Sequence, residues 1–181
     1  HIRIYLNKGY DMELKELYDK TLKLFEISNS DELGEKLMLA LNDDNKKKAF
    51  VELVNEDLTN DWLQMIFQHY QADRKNKKQD YTPKSVSKLI SELVGKADII
   101  IDLCAGTGAL TIEKWNQNNE QKFELFEIDE KVIPYLLFNI SIRNITAVVH
   151  RSNILTGEVY ETYVSKKGEK FANICNIQSA L

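Results

Sequence analysis

Apolar residues recur at helical spacing through the first third of the chain. Leu14, Leu17 and Phe25 fall on one face of a first helix, and a later apolar stretch repeats the same spacing. Short polar side chains at 29–31 and 58–61 precede such stretches and are typical of helix N-caps. This part of the chain is therefore predicted to form three or four helices.

After Pro83 the pattern changes to short apolar runs that alternate with helices. Strands are predicted over 98–103, 123–128, 147–150 and 171–175, and helices over 85–94, 108–116 and 130–144. The run 98–103 is typical of a strand buried on both faces. Residues 153–170 are polar and are predicted as a loop with a short helix around 160–164. This alternation indicates an α/β fold with a parallel sheet and right-handed crossovers.

Composition and charge exclude several classes of protein. The 181 residues are 43% hydrophobic and 29% charged, which suffices for a core and excludes a disordered tail or a disulfide scaffold. No apolar run approaches the roughly 18 residues of a membrane span. The net charge of -4 gives no overall basic surface for nucleic acid. A nucleic-acid role would therefore depend on a partner subunit or on a local patch such as the basic run 74–78.

The cysteines, histidines and N-terminus set further limits. Cys104 and Cys175 lie far apart without metal-ligand spacing, which indicates reduced thiols in a cytoplasmic protein. The three histidines are scattered, so no metal site is predicted. The start of the chain has no signal-peptide pattern. Residues 1–11 are interpreted as an upstream extension or a remnant of cloning, 12–78 as a helical segment with a basic connector, and 79–181 as the α/β unit.

The strongest chemical signal lies at 102–108, where a predicted strand meets a helix. Gly106 and Gly108 allow a sharp turn and a close approach of the backbone to a ligand. Glu127 follows about 20 residues later, at the position where a carboxylate accepts hydrogen bonds from ribose hydroxyls. The turn lacks the third glycine of a pyrophosphate site, and the carboxylate of Asp102 would repel a pyrophosphate. The pattern therefore favours S-adenosylmethionine, with its ammonium and sulfonium groups, over a dinucleotide.

The motifs and their order resemble the adenine DNA methyltransferases, in particular the modification subunits of type I restriction systems. The resemblance covers 79–176 and begins with Gln79-Asp80-Tyr81-Thr82-Pro83, which is similar to a family segment that closes over the methionine end of the cofactor. It implies a Rossmann-like S-adenosylmethionine-binding domain over 79–181 with strand order 3-2-1-4. Cofactor contacts are implied for Tyr81, Thr82, Asp102, Cys104, Ala105, Gly106, Gly108, Glu127, Ile128 and Asn153.

The resemblance also implies a role for several of these side chains. Asp102 would face the methionine amino group, Glu127 the ribose and Ile128 the adenine ring, and Asn153 would lie near the adenine amino group. Each position has a structural alternative. Glu127 is also typical of a solvated strand end, Asn153 of a turn residue that satisfies its own backbone, and Tyr81-Thr82-Pro83 of an extended helix start.

The sequence departs from the family after the fourth predicted strand. There the family has Asn or Asp, two prolines and an aromatic ring that stacks on a flipped base. The corresponding stretch here is Asn176-Ile177-Gln178-Ser179, which keeps the asparagine alone, so Asn176 is implied to touch the acceptor amino group. The family fold continues for about three more strands. We therefore expect the domain to be incomplete after Leu181, with its fourth strand an exposed edge that an oligomer or partner covers.

Three functions follow from the sequence. The leading one is an S-adenosylmethionine-dependent methyltransferase that modifies the exocyclic amino group of adenine in DNA, together with a specificity or partner subunit. The alternative is a chain that binds the cofactor but is catalytically impaired and acts as a partner or remnant subunit. The third is a methyltransferase for RNA or protein, because the cofactor motifs do not define the acceptor.

Overall fold

The computed structural model describes residues 3–5, 11–71 and 82–177 of the chain. Near the N-terminus, β1 (Arg3–Tyr5) and β2 (Asp11–Glu13) pair as a two-stranded antiparallel sheet. Part of the stretch interpreted as an extension is therefore a strand that pairs with the residues just before the first helix. Within the described ranges, no helix has the length and apolar character needed to cross a membrane.

Four helices follow, as the apolar spacing predicts. They are α1 (Leu14–Phe25), α2 (Leu33–Ala40), α3 (Asp44–Leu53) and α4 (Trp62–Tyr70). The two predicted capping regions are confirmed. Asn29 accepts the amide N–H of Asp31 at 2.8 Å, and Asp61 accepts that of Gln64 at 2.9 Å. These bonds satisfy amides that have no partner within the first helical turn.

The rest of the described chain alternates helices and strands. In order, these elements are α5 (Lys84–Val94), β3 (Ile99–Asp102), α6 (Ala109–Gln117), β4 (Lys122–Glu127), α7 (Ile133–Ile142), β5 (Ala147–Asn153), β6 (Glu158–Lys166) and β7 (Asn173–Ile177). The four predicted strands and the helices predicted over 85–94, 108–116 and 130–144 are present, with bounds shifted by a few residues, whereas the short helix predicted around 160–164 is not. The predicted α/β class is confirmed.

The strand β6 corrects the prediction of a loop with a short helix over 153–170. Its sequence is rich in Val, Tyr and Thr, which favour strands over helices. Tyr163 and Ser165 are buried on one face, and the neighbouring Val164 and Lys166 are more exposed on the other. This alternation is the period-two pattern of a half-buried strand, and the polar character of the flanking residues obscured it.

The strands β3 to β7 form one sheet in that order, β3-β4-β5-β6-β7. The first three strands are parallel, and β6 and β7 extend the sheet antiparallel. The predicted order 3-2-1-4 is therefore wrong in its last position, because the fourth predicted strand, β7, lies at the edge opposite β3. The link 167–172 suits antiparallel neighbours, whereas a crossover to a parallel partner takes about a dozen residues or more.

The position of β3 at the other edge of the sheet also corrects its predicted burial. A strand buried on both faces was expected, but Ile99 and Ile101 are 53% and 59% exposed. Among the described residues β3 has a neighbour on one side only, namely β4. The apolar run therefore does form a strand, but among the described residues its outer edge is unpaired and one of its faces is exposed.

The helix α7 lies at the centre of the core. It contacts β5 and β7 as well as α2, α3 and α4. Phe138, near its middle, makes edge-to-face contacts with Phe25 and Phe50, at ring-centroid distances of 5.9 and 5.4 Å. The helical segment and the sheet thus share one hydrophobic core, and the loop before α4 is brought against the turn that follows β3.

Candidate cofactor site

The glycine turn between β3 and α6 is built by two backbone hydrogen bonds. The amide of Ala105 donates to the carbonyl of Phe126 at 2.9 Å, which fastens the turn to β4. The amide of Gly108 donates to the carbonyl of Ala105 at 2.9 Å and closes the turn. Gly108 has a φ of 103° and a Cβ there would lie 3.0 Å from Leu136 Cδ1, so this position favours glycine on both counts.

Glu127 joins the ends of the two neighbouring strands. Its Oε2 accepts the amide of Gly106 at 2.9 Å, and its Oε1 accepts the amides of Ile128 and Asp129 at 2.9 and 2.8 Å. A carboxylate has about four acceptor positions. Three are thus used by the backbone. A ribose diol at this carboxylate would share or displace at least one of these amides.

Asp102 ends β3 with one satisfied and one unsatisfied carboxylate oxygen. Oδ1 accepts the amide of Cys104 at 3.2 Å. Oδ2 is buried and has no hydrogen-bond partner among the described residues. Burial raises the pKa of the Asp102 carboxyl above its ordinary value. A buried acceptor without a donor costs about 1 to 3 kcal/mol, and a cationic donor such as an ammonium group would supply what is missing.

A cavity of ≈ 380 Å³ lies beside Asp102, between α5, β3 and α6. This volume is within the range of small-molecule sites, about 300 to 1,000 Å³. Thr111 also lines the cavity, and its buried Oγ1 has no partner in the described part of the chain. Lys114, by contrast, is already engaged, because its ammonium donates to the carbonyls of Ser91 and Gly95. The polar groups left to bind a ligand are therefore the carboxylate oxygen of Asp102, which accepts, and the hydroxyl of Thr111, which can donate or accept.

The carboxyl ends of the three parallel strands bring together most of the predicted cofactor residues. Asn153 ends β5, and its Oδ1 accepts the amide of Leu155 at 3.0 Å. Ile128 is 54% exposed just beyond β4. Cys104 is exposed, and partial burial together with the charges of Glu127 and Asp102 raises the pKa of its thiol. Ligands in open parallel sheets bind at this edge.

Of the two residues predicted to cover the cofactor, Thr82 is separate from this group. Thr82 immediately precedes Pro83 and α5 and lines a smaller cavity of ≈ 50 Å³ together with Asp61 and Ala109. Tyr81 lies outside the described residues, as does the basic run 74–78.

The structure does not bring Asn176 to the glycine turn. Asn176 is exposed on β7 and pairs with Tyr163 of β6. Four strand spacings separate β7 from β3 in the sheet, which is about 19 Å at the usual spacing. The prediction differs because the order 3-2-1-4 placed β7 beside β3, with the end of β7 next to Asp102.

A buried polar cluster under the turn was missed by the sequence analysis. Thr107, Asn139 and Arg143 belong to it, together with Asp61, which was identified only as part of a cap. A signal was present in the sequence. Asn139 and Arg143 are four residues apart in and just after a helix whose other residues are largely apolar, and such polar residues need buried partners.

Taken together, the parallel strands, the glycine turn and the acidic strand ends are an arrangement typical of nucleotide-type cofactor sites in α/β domains. A comparison with protein families agrees with this class, because the model of the N-6 DNA Methylase family matches residues 54–176. The chain belongs to that family. Searches of curated proteins and of solved structures gave no match.

Proposed function

We propose that the chain binds S-adenosylmethionine at the carboxyl ends of β3, β4 and β5, for methyl transfer to the exocyclic amino group of adenine in DNA. The observation that carries the binding proposal is the buried Oδ2 of Asp102, which has no hydrogen-bond partner among the described residues and borders a largely apolar cavity. Family membership supports DNA adenine as the acceptor. When bound, the cofactor supplies an electrophilic methyl group on a sulfonium.

The residues present fit such a cofactor. Asp102 would receive the ammonium group, which removes the cost of its unpaired oxygen. Glu127 would receive the ribose, and the exposed side chain of Ile128 offers an apolar surface for the adenine ring. Cys104 lines the cavity, and Ala105, Gly106 and Gly108 continue the turn that follows it, where the two glycines would allow a close approach of the backbone to the cofactor. Asn153 would contribute its amide group at the end of β5.

The second part of the proposal concerns the group that binds the adenine acceptor. Asn176 remains the proposed residue for the target amino group, but it lies at the opposite edge of the sheet from Asp102. The net charge of -4 also favours a partner, such as a specificity subunit, as the source of most DNA contacts.

The binding proposal is tested by isothermal titration of the protein with S-adenosylmethionine and S-adenosylhomocysteine. Asp102→Asn should weaken binding of both by about tenfold or more, because it removes the charge that pairs with the ammonium group. Asp98→Asn is the matched control. Asp98 is an exposed aspartate just before the other end of β3, and its substitution should leave the affinity unchanged. Absence of binding by the unsubstituted protein would refute the proposal.

A second candidate is a cofactor-binding subunit that does not itself transfer the methyl group. The position of Asn176 on β7, away from the glycine turn, favours it. Transfer of a radiolabelled methyl group to adenine-containing DNA distinguishes the two. Transfer by this chain alone supports the enzyme, whereas cofactor binding without transfer, restored by an added partner, supports the subunit.

A further inference from the structure

The turn that follows β3 rests on a buried hydrogen-bonded cluster that comes from three parts of the chain. Asp61 lies at the start of α4, Thr107 lies in the turn, and Asn139 and Arg143 come from α7 and its C-terminal cap. All four residues are between 1% and 7% exposed. The cluster is thus closed to solvent, and each of its bonds is made without competition from bulk water.

Asp61 and Asn139 both contact the turn through their side chains. The Oδ2 of Asp61 accepts the hydroxyl of Thr107 at 2.6 Å, and its Oδ1 accepts the side-chain amide of Asn139 at 2.8 Å. The same amide group of Asn139 donates to the backbone carbonyl of Thr107 at 2.9 Å. Thr107 is therefore held at its hydroxyl and at its carbonyl by two different residues.

Arg143 fixes the orientation of this arrangement. One guanidinium nitrogen donates to Oδ1 of Asn139 at 2.9 Å, so the amide of Asn139 is turned with its NH2 group towards Asp61. The remaining donors bind the carbonyls of Leu58 and Asn60, at 2.8 and 2.7 Å. Arg143 thus holds the loop that contains Asp61 by hydrogen bonds to its backbone. The positive charge also balances the buried carboxylate through the intervening amide.

We propose that Asp61, Asn139 and Arg143 are positioning residues for cofactor binding, which act by holding Thr107 and with it the turn between Ala105 and Gly108. The helical segment would then be a working part of the cofactor site. The claim about affinity rests on the proposed function. The claim about the rigidity of the turn does not, and it is measured separately.

The test begins with Thr107→Val, which removes the hydroxyl and keeps the shape of the side chain. We expect the amides of Gly106 and Gly108 to exchange with deuterium about tenfold faster, relative to the amide of Leu125 in β4. We also expect the Kd for S-adenosylmethionine to rise about tenfold. Thr107→Ser, which keeps the hydroxyl, should restore both values to within about threefold of the unsubstituted protein.

The matched control is Thr21→Val. Thr21 is also fully buried and its hydroxyl also donates one short bond, to the carbonyl of Leu17 at 2.7 Å, but it lies in α1 and outside the cluster. Its substitution should lower the thermal midpoint as Thr107→Val does and leave turn exchange and Kd unchanged. Equal changes in Kd for the two variants would overturn the proposal, because general loss of stability would then explain them.

The part played by Asp61 is isolated by a double-mutant cycle. Asp61→Asn replaces Oδ2 by an NH2 group that cannot accept the hydroxyl of Thr107. In that background Thr107→Val should change turn exchange and Kd by less than about twofold, since the bond is already lost. Effects that simply multiply would show that Asp61 does not act through Thr107.

The measurements separate this proposal from the proposed function. If the unsubstituted protein does not bind S-adenosylmethionine, the proposed function fails, and exchange at Gly106 and Gly108 still decides whether the cluster holds the turn. If the protein binds and Thr107→Val alters neither exchange nor Kd, the positioning proposal fails while the proposed function stands.

Discussion

The carboxylate of Glu127 accepts the backbone amide of Gly106 at 2.9 Å. An acidic residue at the end of β4 therefore shapes the glycine turn that follows β3, without any ligand. The same side chain is the one proposed to receive the ribose. Its backbone bonds fix the position of the carboxylate before a cofactor arrives, which lowers the entropic cost of binding.

Substitution of Glu127 tests this double role. Glu127→Gln has one acceptor oxygen instead of two, so the amide of Gly106 or those of Ile128 and Asp129 lose a partner. We expect the Kd for S-adenosylmethionine to rise about tenfold and the turn amides to exchange faster. Glu124→Gln, on the same strand, should change neither, since its ion pair with His150 at 3.4 Å is remote from the turn. An unchanged Kd in Glu127→Gln would contradict the role.

The raised pKa of Asp102 leads us to expect an unusual dependence of folding stability on pH. Because burial raises its pKa in the folded protein, the ionised carboxyl disfavours folding. The contribution of this carboxyl to folding stability is most favourable below its pKa in the unfolded chain, where it is protonated. That contribution is lost as the pH rises through the higher pKa of the folded protein. Asp102→Asn should therefore be more stable than the unsubstituted protein at pH 7, by about 1 kcal/mol, and the difference should disappear near pH 4. Thermal melts across this range measure it, and a less stable variant at pH 7 would contradict an unpaired carboxylate.

The same raised pKa predicts that cofactor affinity falls in acid. An ammonium group binds the ionised carboxylate, so the Kd for S-adenosylhomocysteine should increase as the pH falls through the raised pKa of Asp102. In Asp102→Asn this part of the pH dependence should be absent. Titrations of both proteins from about pH 4, near the ordinary pKa of an aspartate, up to pH 8 provide the comparison, and parallel pH profiles would exclude Asp102 as the group responsible.

Gly108 is predicted to be more sensitive to substitution than Gly157, a glycine outside the turn. Gly108→Ala places a Cβ at a φ of 103° and 3.0 Å from Leu136 Cδ1. Gly157→Ala is the control, because Gly157 also has a positive φ, of 73°, but a Cβ there meets no atom within 4 Å. Backbone strain alone costs about 1 to 2 kcal/mol. In urea unfolding we expect Gly157→Ala to lower the free energy of unfolding by about that much and Gly108→Ala to lower it clearly more. Equal decreases would show that contact with Leu136 is unimportant.

Arg143 is expected to be more important for stability than a surface arginine. Burial lowers the pKa of Arg143 to about 10, so the guanidinium is still charged at neutral pH. Arg143→Lys keeps the charge but cannot reach Asn139 and both loop carbonyls at once, and should cost about 2 to 4 kcal/mol. Arg151→Lys, whose pair with Glu161 at 2.6 Å is partly exposed, should cost less than about 1 kcal/mol. Urea midpoints of the two variants decide the question.

Local sequence patterns predict the elements of this fold well. The helical face that contains Leu17 and the apolar run around Ile100 reflect periodicities that neighbouring residues set by themselves. The glycine turn is equally local, since Gly106 and Gly108 are needed where the backbone takes positive φ angles. The strand β6 also has a local signal, namely the strand-forming side chains around Tyr163. The polar residues beside them led to the prediction of a loop instead.

Long-range pairing is what the sequence could not supply. The position of β7 beside β6 depends on the existence of β6, so one missed strand displaced Asn176 from the predicted site. The bond from Asp61 to Thr107 joins residues 46 positions apart, and no local pattern encodes it. The unpaired oxygen of Asp102 likewise emerges only when its neighbours in space are known.

The most direct test of the central claim compares two ligands that differ in the amino-acid part, which carries the ammonium group that Asp102 is proposed to bind. S-adenosylhomocysteine carries the amino-acid ammonium, and 5′-methylthioadenosine lacks it. The unsubstituted protein should bind S-adenosylhomocysteine at least about tenfold more tightly, and Asp102→Asn should reduce that preference to about twofold or less. A preference that is the same in both proteins, or no binding of either ligand, would contradict the account.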